Sequence, residues 1–209
     1  MSEAAPRSTY RHGDLRQALL TEGIALAREG GPDAVVLREA TRRVGVSPNA
    51  AYRHFADRAA LLDAVSASAQ GLAADRIEAD WALVDDADPA LAARAHLRAV
   101  GTGYIGFARE EPGLFRAAFS VPHDLREAFS PDKAGAAGRT PFQLVARALD
   151  ELEEAGVVSP ERRRNGEFLA WSAVHGLAML VIDGPLRGLT AEMIDDAERR
   201  LLDMVDRGL

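Results

Sequence analysis

Apolar positions recur along most of the chain with the three- and four-residue spacing of amphipathic helices. A short example is the stripe formed by Leu37, Ala40, Thr41 and Val44, at positions i, i+3, i+4 and i+7. No stretch shows the sustained two-residue alternation that is typical of a strand. The pattern predicts an all-α fold of about nine helices, near 12–29, 36–43, 48–54, 58–79, 89–110, 112–119, 141–155, 160–183 and 190–207, with a short turn near 122–129.

Capping residues and glycines mark the ends of these helices. Ser47, Asp88, Thr140 and Ser159 each precede a proline, which joins an N-cap side chain to a residue whose missing N–H is harmless in the first turn. Glycines after the predicted helices act as stop signals. The segment 130–139 is small, polar and rich in glycine and alanine, so we expect it to be the most flexible loop.

The segment 36–55 predicts a helix, a tight glycine turn and a second helix. Gly45 tolerates the positive φ that such a turn requires, and Ser47 with Pro48 starts the second helix. Ala51 and Phe55 are predicted to face inward with Val46. The residues left facing outward are Asn49, Ala50, Tyr52, Arg53 and His54. Their side chains suit base edges, thymine methyl groups and phosphates, and such a motif seats its second helix in the major groove.

Charge is distributed unevenly along the 209 residues. The net charge is −7, but residues 1–60 carry +2 and the remainder −9, which indicates a nucleic-acid-facing end on an acidic body. Arg7 and Arg11 could form a basic arm, and Asp57 is predicted to cap a helix whose first turn presents Arg58 to a phosphate. The chain has no cysteine, no signal-peptide pattern and no apolar run long enough for a membrane span. We therefore expect a cytoplasmic protein without a membrane partner.

Residues 11–71 resemble the DNA-binding domain of the TetR/AcrR family of bacterial regulators. The string GVSPNAAYRHFADRAALLDAV carries the resemblance. It implies a domain boundary near residue 60, with an arm and helix-turn-helix domain at 1–60 and a helical ligand-binding and dimerisation domain at 61–209. It also implies DNA contacts at Arg38, Ser47, Asn49, Ala50, Tyr52, Arg53, His54 and Arg58. The chain departs from the family pattern at Val36, where a Ser or Thr cap is usual, at Ala51 in place of leucine, and at Arg58 in place of lysine.

The stretches 104–120 and 171–184 resemble the C-terminal domain of one branch of the same family. Aromatic residues concentrate in this part of the chain, and most of them are expected in the core. If a pocket is present, it should lie between these helices and hold a small apolar or amphipathic ligand. The candidate pocket residues are Tyr104, Phe107, Phe119, His123, Phe142, Trp171 and His175.

Two C-terminal helices have more apolar surface than one chain needs to bury. Residues 168–182 are apolar almost all round, and the last helix carries a stripe of its own. Two such helices from each chain would form a four-helix interface, although both could instead close the monomer core. The candidate homodimer residues are Trp171, Leu180, Ile194, Leu201 and Val205.

Other kinds of site find little support in the sequence. Gly101, Gly103 and Gly106 form a literal GxGxxG, but it follows a helical stretch rather than the strand that a dinucleotide site needs. The five histidines are scattered, so neither a metal site nor a catalytic site is predicted, and no cofactor is expected.

The resemblance favours a non-enzymatic, ligand-responsive transcription regulator. We expect a repressor that binds double-stranded DNA at a palindromic operator as a homodimer and is released by a small molecule. One alternative is a helical ligand-binding protein or enzyme whose N-terminal helices are structural. Another is a nonspecific architectural DNA protein, which fits poorly with the net charge of −7.

Overall fold

The computed structural model describes residues 12–122 and 124–209, which form ten α-helices and no strand. The helices are α1 (His12–Gly30), α2 (Leu37–Val44), α3 (Pro48–Ala51), α4 (Arg58–Trp81), α5 (Pro89–Glu110), α6 (Pro112–Ala118), α7 (Pro141–Glu154), α8 (Pro160–Arg163), α9 (Gly166–Ile182) and α10 (Ala191–Gly208). Four short 3₁₀ helices lie at Pro32–Ala34, Leu125–Phe129, Pro131–Lys133 and Pro185–Gly188. The all-α prediction is confirmed.

Most of the predicted helix caps form as expected. Asp57 Oδ1 accepts a hydrogen bond from the Ala60 N–H at 2.8 Å, and Asp88 caps α5 in the same way. Thr140 and Gln143 form a complete capping box at the start of α7. The prediction for Ser47 is wrong in one respect, because its side chain makes no capping hydrogen bond to α3.

The predicted helix 160–183 is broken into α8 and α9. Asn165 adopts the left-handed conformation, with φ 59°, and ends the regular hydrogen bonding between the two helices. Asparagine tolerates this region better than most residues, since its short polar side chain can bond locally. The apolar periodicity that continues into α9 gives no sign of this interruption.

Segment 130–139 is irregular, yet it packs closely against α4. Lys133 is buried within its short 3₁₀ turn, and the Ala136 N–H donates to Asp75 Oδ1 at 2.6 Å. A Cβ on Gly71 of α4 would lie 2.7 Å from the carbonyl oxygen of Ala134. The predicted loop is therefore a packed wall of the molecule.

One continuous hydrophobic core joins the first three helices to the rest of the chain. It runs from Leu19 and Phe55 through Leu61 and Ile77 of α4 to Phe115 of α6. The helix α4 spans both parts, since it packs on α1 at one end and on α5, α6 and α7 along its length. Gly103 of α5 permits the closest approach of these helices, because a Cβ there would lie 2.6 Å from the Ile77 Cα. The glycines of the GxGxxG string thus serve helix packing.

Candidate nucleic-acid interface and ligand cavity

The turn between α2 and α3 depends on Gly45. Its φ of 75° and ψ of 29° place it in the left-handed region, where a side chain would be strained. Its N–H bonds to the carbonyl of Thr41, and the Val46 N–H bonds to the same carbonyl, so the end of α2 is closed. The predicted glycine turn is confirmed, and it directs the next helix away from α2.

The second helix of the motif turns a buried face to α1 and an open face to solvent. Ala51 and Phe55 are buried, and the guanidinium carbon of Arg16 lies 5.1 Å from the centre of the Phe55 ring. The regular helix α3 ends at Ala51, and the Phe55 N–H bonds to the Ala51 carbonyl at 3.0 Å to continue the turn. The helix α3 is therefore one turn long, and Ala51 is its buried residue.

The outward residues fall into two groups by exposure. Ser47, Asn49, Tyr52 and Arg53 are exposed, with Tyr52 at 51%. Ala50 and His54 are half-buried at the edges of the same face. A polar, hydroxyl-bearing and cationic surface of this kind can meet base edges and phosphates without displacing any core residue.

Arginines near this face divide into paired and unpaired side chains. Arg42 and Arg43 both bond to Glu39, and Arg43 also bonds to Glu29 at 2.7 Å. These hydrogen bonds lower the pKa of Glu39 to about 2. Arg38 and Arg53 are exposed and pair with no carboxylate among the described residues. Their charges are therefore available to an external anion.

Arg58 makes contacts within the chain that its sequence neighbourhood does not predict. Its Nε donates to the Val35 carbonyl at 2.8 Å and its Nη2 to the Pro32 carbonyl at 2.7 Å. The guanidinium thus ties the first turn of α4 to the connection between α1 and α2. The guanidinium also lies 3.8 Å from Asp33 Oδ1, and 46% of the Arg58 side chain is exposed, so the phosphate contact stays a prediction.

A cavity of about 820 Å³ lies between the helices of the C-terminal part. Of the predicted pocket residues, Tyr104, Phe119, Phe142, Trp171 and His175 line it. Phe107 does not, because it is buried in the core with its ring 6.4 Å from that of Phe115. His123, like Arg7 and Arg11, lies outside the described residues.

Three polar side chains form a hydrogen-bonded chain on the cavity wall. Trp171 Nε1 donates to the Tyr104 hydroxyl at 3.1 Å, and that hydroxyl lies 2.9 Å from His175 Nδ1. Because the hydroxyl accepts from Trp171, its own proton is free to go to Nδ1, which leaves the histidine proton on Nε2. Burial raises the pKa of Tyr104 and lowers that of His175, so both groups stay neutral near pH 7.

Sequence reasoning missed several residues of this wall. Arg94, Arg98 and Lys133 line the cavity together with apolar residues of α4, α5 and α7. Lys133 is the only lysine in the chain, and that single occurrence was the one signal that could have singled it out. Lys133 was not predicted because it lies in segment 130–139, which was expected to be a flexible loop.

The outer face of α9 is apolar and open, and α10 exposes two methionines among charged side chains. Leu169, Leu180, Met193 and Met204 are all more than two-fifths exposed. A Cβ on Gly176, which lies on the same face of α9, would meet nothing within 4 Å. Of the predicted interface residues, Leu180 lies on this face and Leu201 is half-buried. Ile194 is buried inside the chain, and Trp171 and Val205 line the cavity instead.

The short helix α6 touches both the first three helices and the cavity. A Cβ on Gly113 would lie 2.3 Å from the Ala27 carbonyl oxygen, so α6 is in backbone contact with the end of α1. Arg28 reinforces this contact through a two-oxygen bond to Glu111 at 2.8 and 2.9 Å. At its other end, Ala118 and Phe119 form part of the cavity wall.

Two family models match separate parts of the chain. Residues 19–65 match the model of the bacterial regulatory proteins of the tetR family, and residues 97–205 match that of the tetracycline repressor-like C-terminal domain. The chain belongs to the TetR family. As a TetR family member it is a DNA-binding transcriptional regulator, and residues 36–55 form its helix-turn-helix.

Two solved structures share the TetR family fold of this chain. A protein with unknown function from Rhodococcus sp. RHA1 is 28% identical, with a TM-score of 0.70, and the match covers 97% of this chain and 99% of that one. SCO4313, a proposed regulatory protein, is 18% identical with a TM-score of 0.58 over 95% of this chain and 100% of its own. No curated protein matches.

No group of three potential metal ligands lies close together in the part of the chain that the structure describes. Within the same residues, no helix has the length and apolarity that a membrane crossing would need.

Proposed function

We propose that this TetR family member is a repressor that binds a palindromic operator as a homodimer and leaves it when a small molecule fills the cavity. The observation that carries the DNA part is the outward face of residues 47–53 behind the Gly45 turn. Its exposed polar side chains stand on a buried base formed by Ala51 and Phe55.

Each outward residue has a role that its chemistry suits. Arg53 and Asn49 can form paired hydrogen bonds to base edges, and Ala50 can contact a thymine methyl. Ser47, whose hydroxyl caps nothing, together with Tyr52, His54 and Arg38, would hold the phosphates on either side. We assign Arg58 to the support of the motif, since its Nε and Nη2 donate to the Val35 and Pro32 carbonyls.

The apolar outer face of α9 and the exposed methionines of α10 support the homodimer. Leu169, Leu180, Met193 and Met204 would be buried against the same residues of a second copy, and Gly176 would let the two α9 helices come close. A two-fold dimer of this kind reads two half-sites about 34–36 Å apart, which is one turn of DNA. The operator would therefore be a palindrome.

The cavity and α6 support release by a ligand. The volume of about 820 Å³ is in the range of small-molecule sites, and aromatic rings form much of its wall. A ligand that moves Phe119 would act on α6, and through Gly113 on the end of α1. Two bound states that differ in this contact would hold the DNA-binding helices at different separations.

Binding to DNA fragments selected from a random pool tests the proposal. The protein should prefer a palindrome to one half-site and to scrambled DNA, and its affinity should fall steeply with salt. Tyr52→Ala and Arg53→Ala should each weaken palindrome binding by about 1–3 kcal/mol, whereas Arg126→Ala, which removes an exposed arginine outside the motif, should not.

The alternatives predict different results in the same titrations. A ligand-binding protein or enzyme with structural N-terminal helices would select no fragment at all. An architectural DNA protein would bind scrambled DNA and the palindrome equally, and equal binding to one and two half-sites would contradict the dimeric repressor.

A further inference from the structure

Lys133 is a buried cation on the wall of the cavity. Among the charged residues that the structure describes, it alone is buried, with 4% of its surface exposed. It is also the only lysine of a chain that has 25 lysine and arginine residues. The arginines near the cavity are more exposed and are already paired, Arg94 with Asp206 and Arg98 with Asp203.

The charge of Lys133 is incompletely compensated inside the protein. The nearest carboxylate oxygen is Oε2 of Glu127, at 4.0 Å from Nζ, and the Glu127 side chain is 54% exposed. Moving an ammonium group out of water costs free energy. An ion pair with an exposed glutamate at 4.0 Å offsets little of that cost. A second anion beside Nζ would compensate the charge much better.

The remainder of the cavity wall is largely apolar. Its two carboxylates already have partners, since Asp206 pairs with Arg94 and Asp124 accepts a hydrogen bond from the Arg126 N–H. Phe119, Phe142 and Trp171 supply aromatic surface, and aliphatic side chains of α4 and α5 complete it. The hydrogen-bonded chain from Trp171 leaves the Nε2 proton of His175 without an acceptor among the described residues. Lys133 and His175 therefore offer donors to a ligand that carries acceptors.

We propose that the ligand is an amphipathic carboxylic acid whose carboxylate pairs with Lys133 and whose apolar body lies among the aromatic rings. This inference rests on the proposed ligand cavity and names the chemical class that the cavity selects. A carboxylate supplies the missing anion, and a charge-assisted hydrogen bond to an ammonium is among the stronger polar contacts. The body is either aliphatic or aromatic, since both pack on such rings.

Calorimetric titration of the full-length protein with matched probes tests this class. Octanoate and 1-octanol share an aliphatic body, and 4-phenylbutanoate and 4-phenylbutanol share an aromatic one. Each acid should bind about 10- to 100-fold more tightly than its alcohol. Whichever acid binds more tightly shows which body the cavity prefers.

Three variants locate the preference on one side chain. Lys133→Met keeps the length and removes the charge, so it should reduce acid binding to the level of the alcohol and leave alcohol binding unchanged. Lys133→Arg should keep most of the preference, and so should Arg126→Met, which removes an exposed charge outside the wall.

The single lysine also gives a direct spectroscopic signal. With ¹³C at the lysine ε-carbon, the spectrum should contain one lysine resonance, and octanoate should shift it while 1-octanol should not. Acids and alcohols that bind equally, or a preference that survives in Lys133→Met, would overturn the inference and leave the cavity as a ligand site. Absence of binding by all four probes would overturn the ligand cavity as well.

Discussion

The DNA-binding motif and the C-terminal part share an apolar core but differ in the exceptions to the usual pattern of apolar inside and polar outside. In the motif, Ala51 and Phe55 are buried and Asn49 and Arg53 are exposed, as in an ordinary globular surface. In the C-terminal part, polar groups such as Lys133 and the Tyr104 hydroxyl are inside, and the outer face of α9 is apolar.

This difference indicates which kind of partner each part can bind. A polar outer surface is stable in water on its own and binds DNA by exchanging counterions. An apolar outer face is unfavourable in water unless another surface covers it, and buried polar groups need partners. The C-terminal part therefore contains two surfaces that a partner would complete, and the motif contains none.

The largest effect is expected from a charge on the open apolar face. Leu180→Glu should weaken the proposed dimer about 100-fold or more, because the glutamate would be buried without a partner at the interface. Sedimentation over a range of concentrations measures this. Leu83→Glu is the control, since Leu83 is 80% exposed and lies beyond the end of α4 rather than on α9 or α10. A dimer that persists in Leu180→Glu would mean that another surface joins the subunits.

A smaller effect distinguishes an arginine that supports the motif from an arginine that contacts DNA. Arg58→Met should lower the free energy of unfolding by about 1–3 kcal/mol, since the Val35 carbonyl loses the Arg58 donor and the Pro32 carbonyl keeps only the Val35 N–H. Its operator affinity should keep the same dependence on salt. Arg38→Met should show the reverse, with unchanged stability in urea and a salt slope lower by about one. If the salt slope of operator affinity falls in Arg58→Met, Arg58 contacts a phosphate.

The smallest effect concerns the buried polar chain and pH. Burial lowers the pKa of His175 below its ordinary value of 6.5, so the unfolded chain takes up this proton at a higher pH than the folded one. The stability is complete above pH 6.5 and is lost as the pH falls through that value towards the folded pKa, by less than about 1.4 kcal/mol per pH unit. Urea unfolding at pH ~7.5 and ~5.5 measures it. In His175→Gln this part of the loss should vanish, and an identical loss in both proteins would contradict the assignment.

The sequence predicted best those features that depend on neighbours in the chain. Gly45, Asp57 and Thr140 act on backbone groups within a few residues, so their roles follow from local chemistry. The outward face of α3 follows from the same short-range geometry. The break at Asn165 is local too, but the apolar pattern continues across it.

Features that depend on distant residues were predicted less well. Nothing around Arg58 shows that the carbonyls of Pro32 and Val35 lie beside it. Trp171 and Val205 have the apolar character of an interface, and only the packing of α9 and α10 turns them towards the cavity. Lys133 lies in a polar segment whose burial depends on its packing against α4.

The contact at Gly113 limits how the molecule can respond to a filled cavity. The seven-residue helix α6 has no free space at this end, because a single added carbon would overlap the Ala27 carbonyl. The space between Gly113 of α6 and the last turn of α1 therefore fits the glycine hydrogen and no larger group. A displacement that begins at Phe119 can be accommodated in two ways. Either the aromatic rings around Phe119 rearrange, or α1 moves. The stiffer those rings are, the larger the share of the motion that reaches the DNA-binding end.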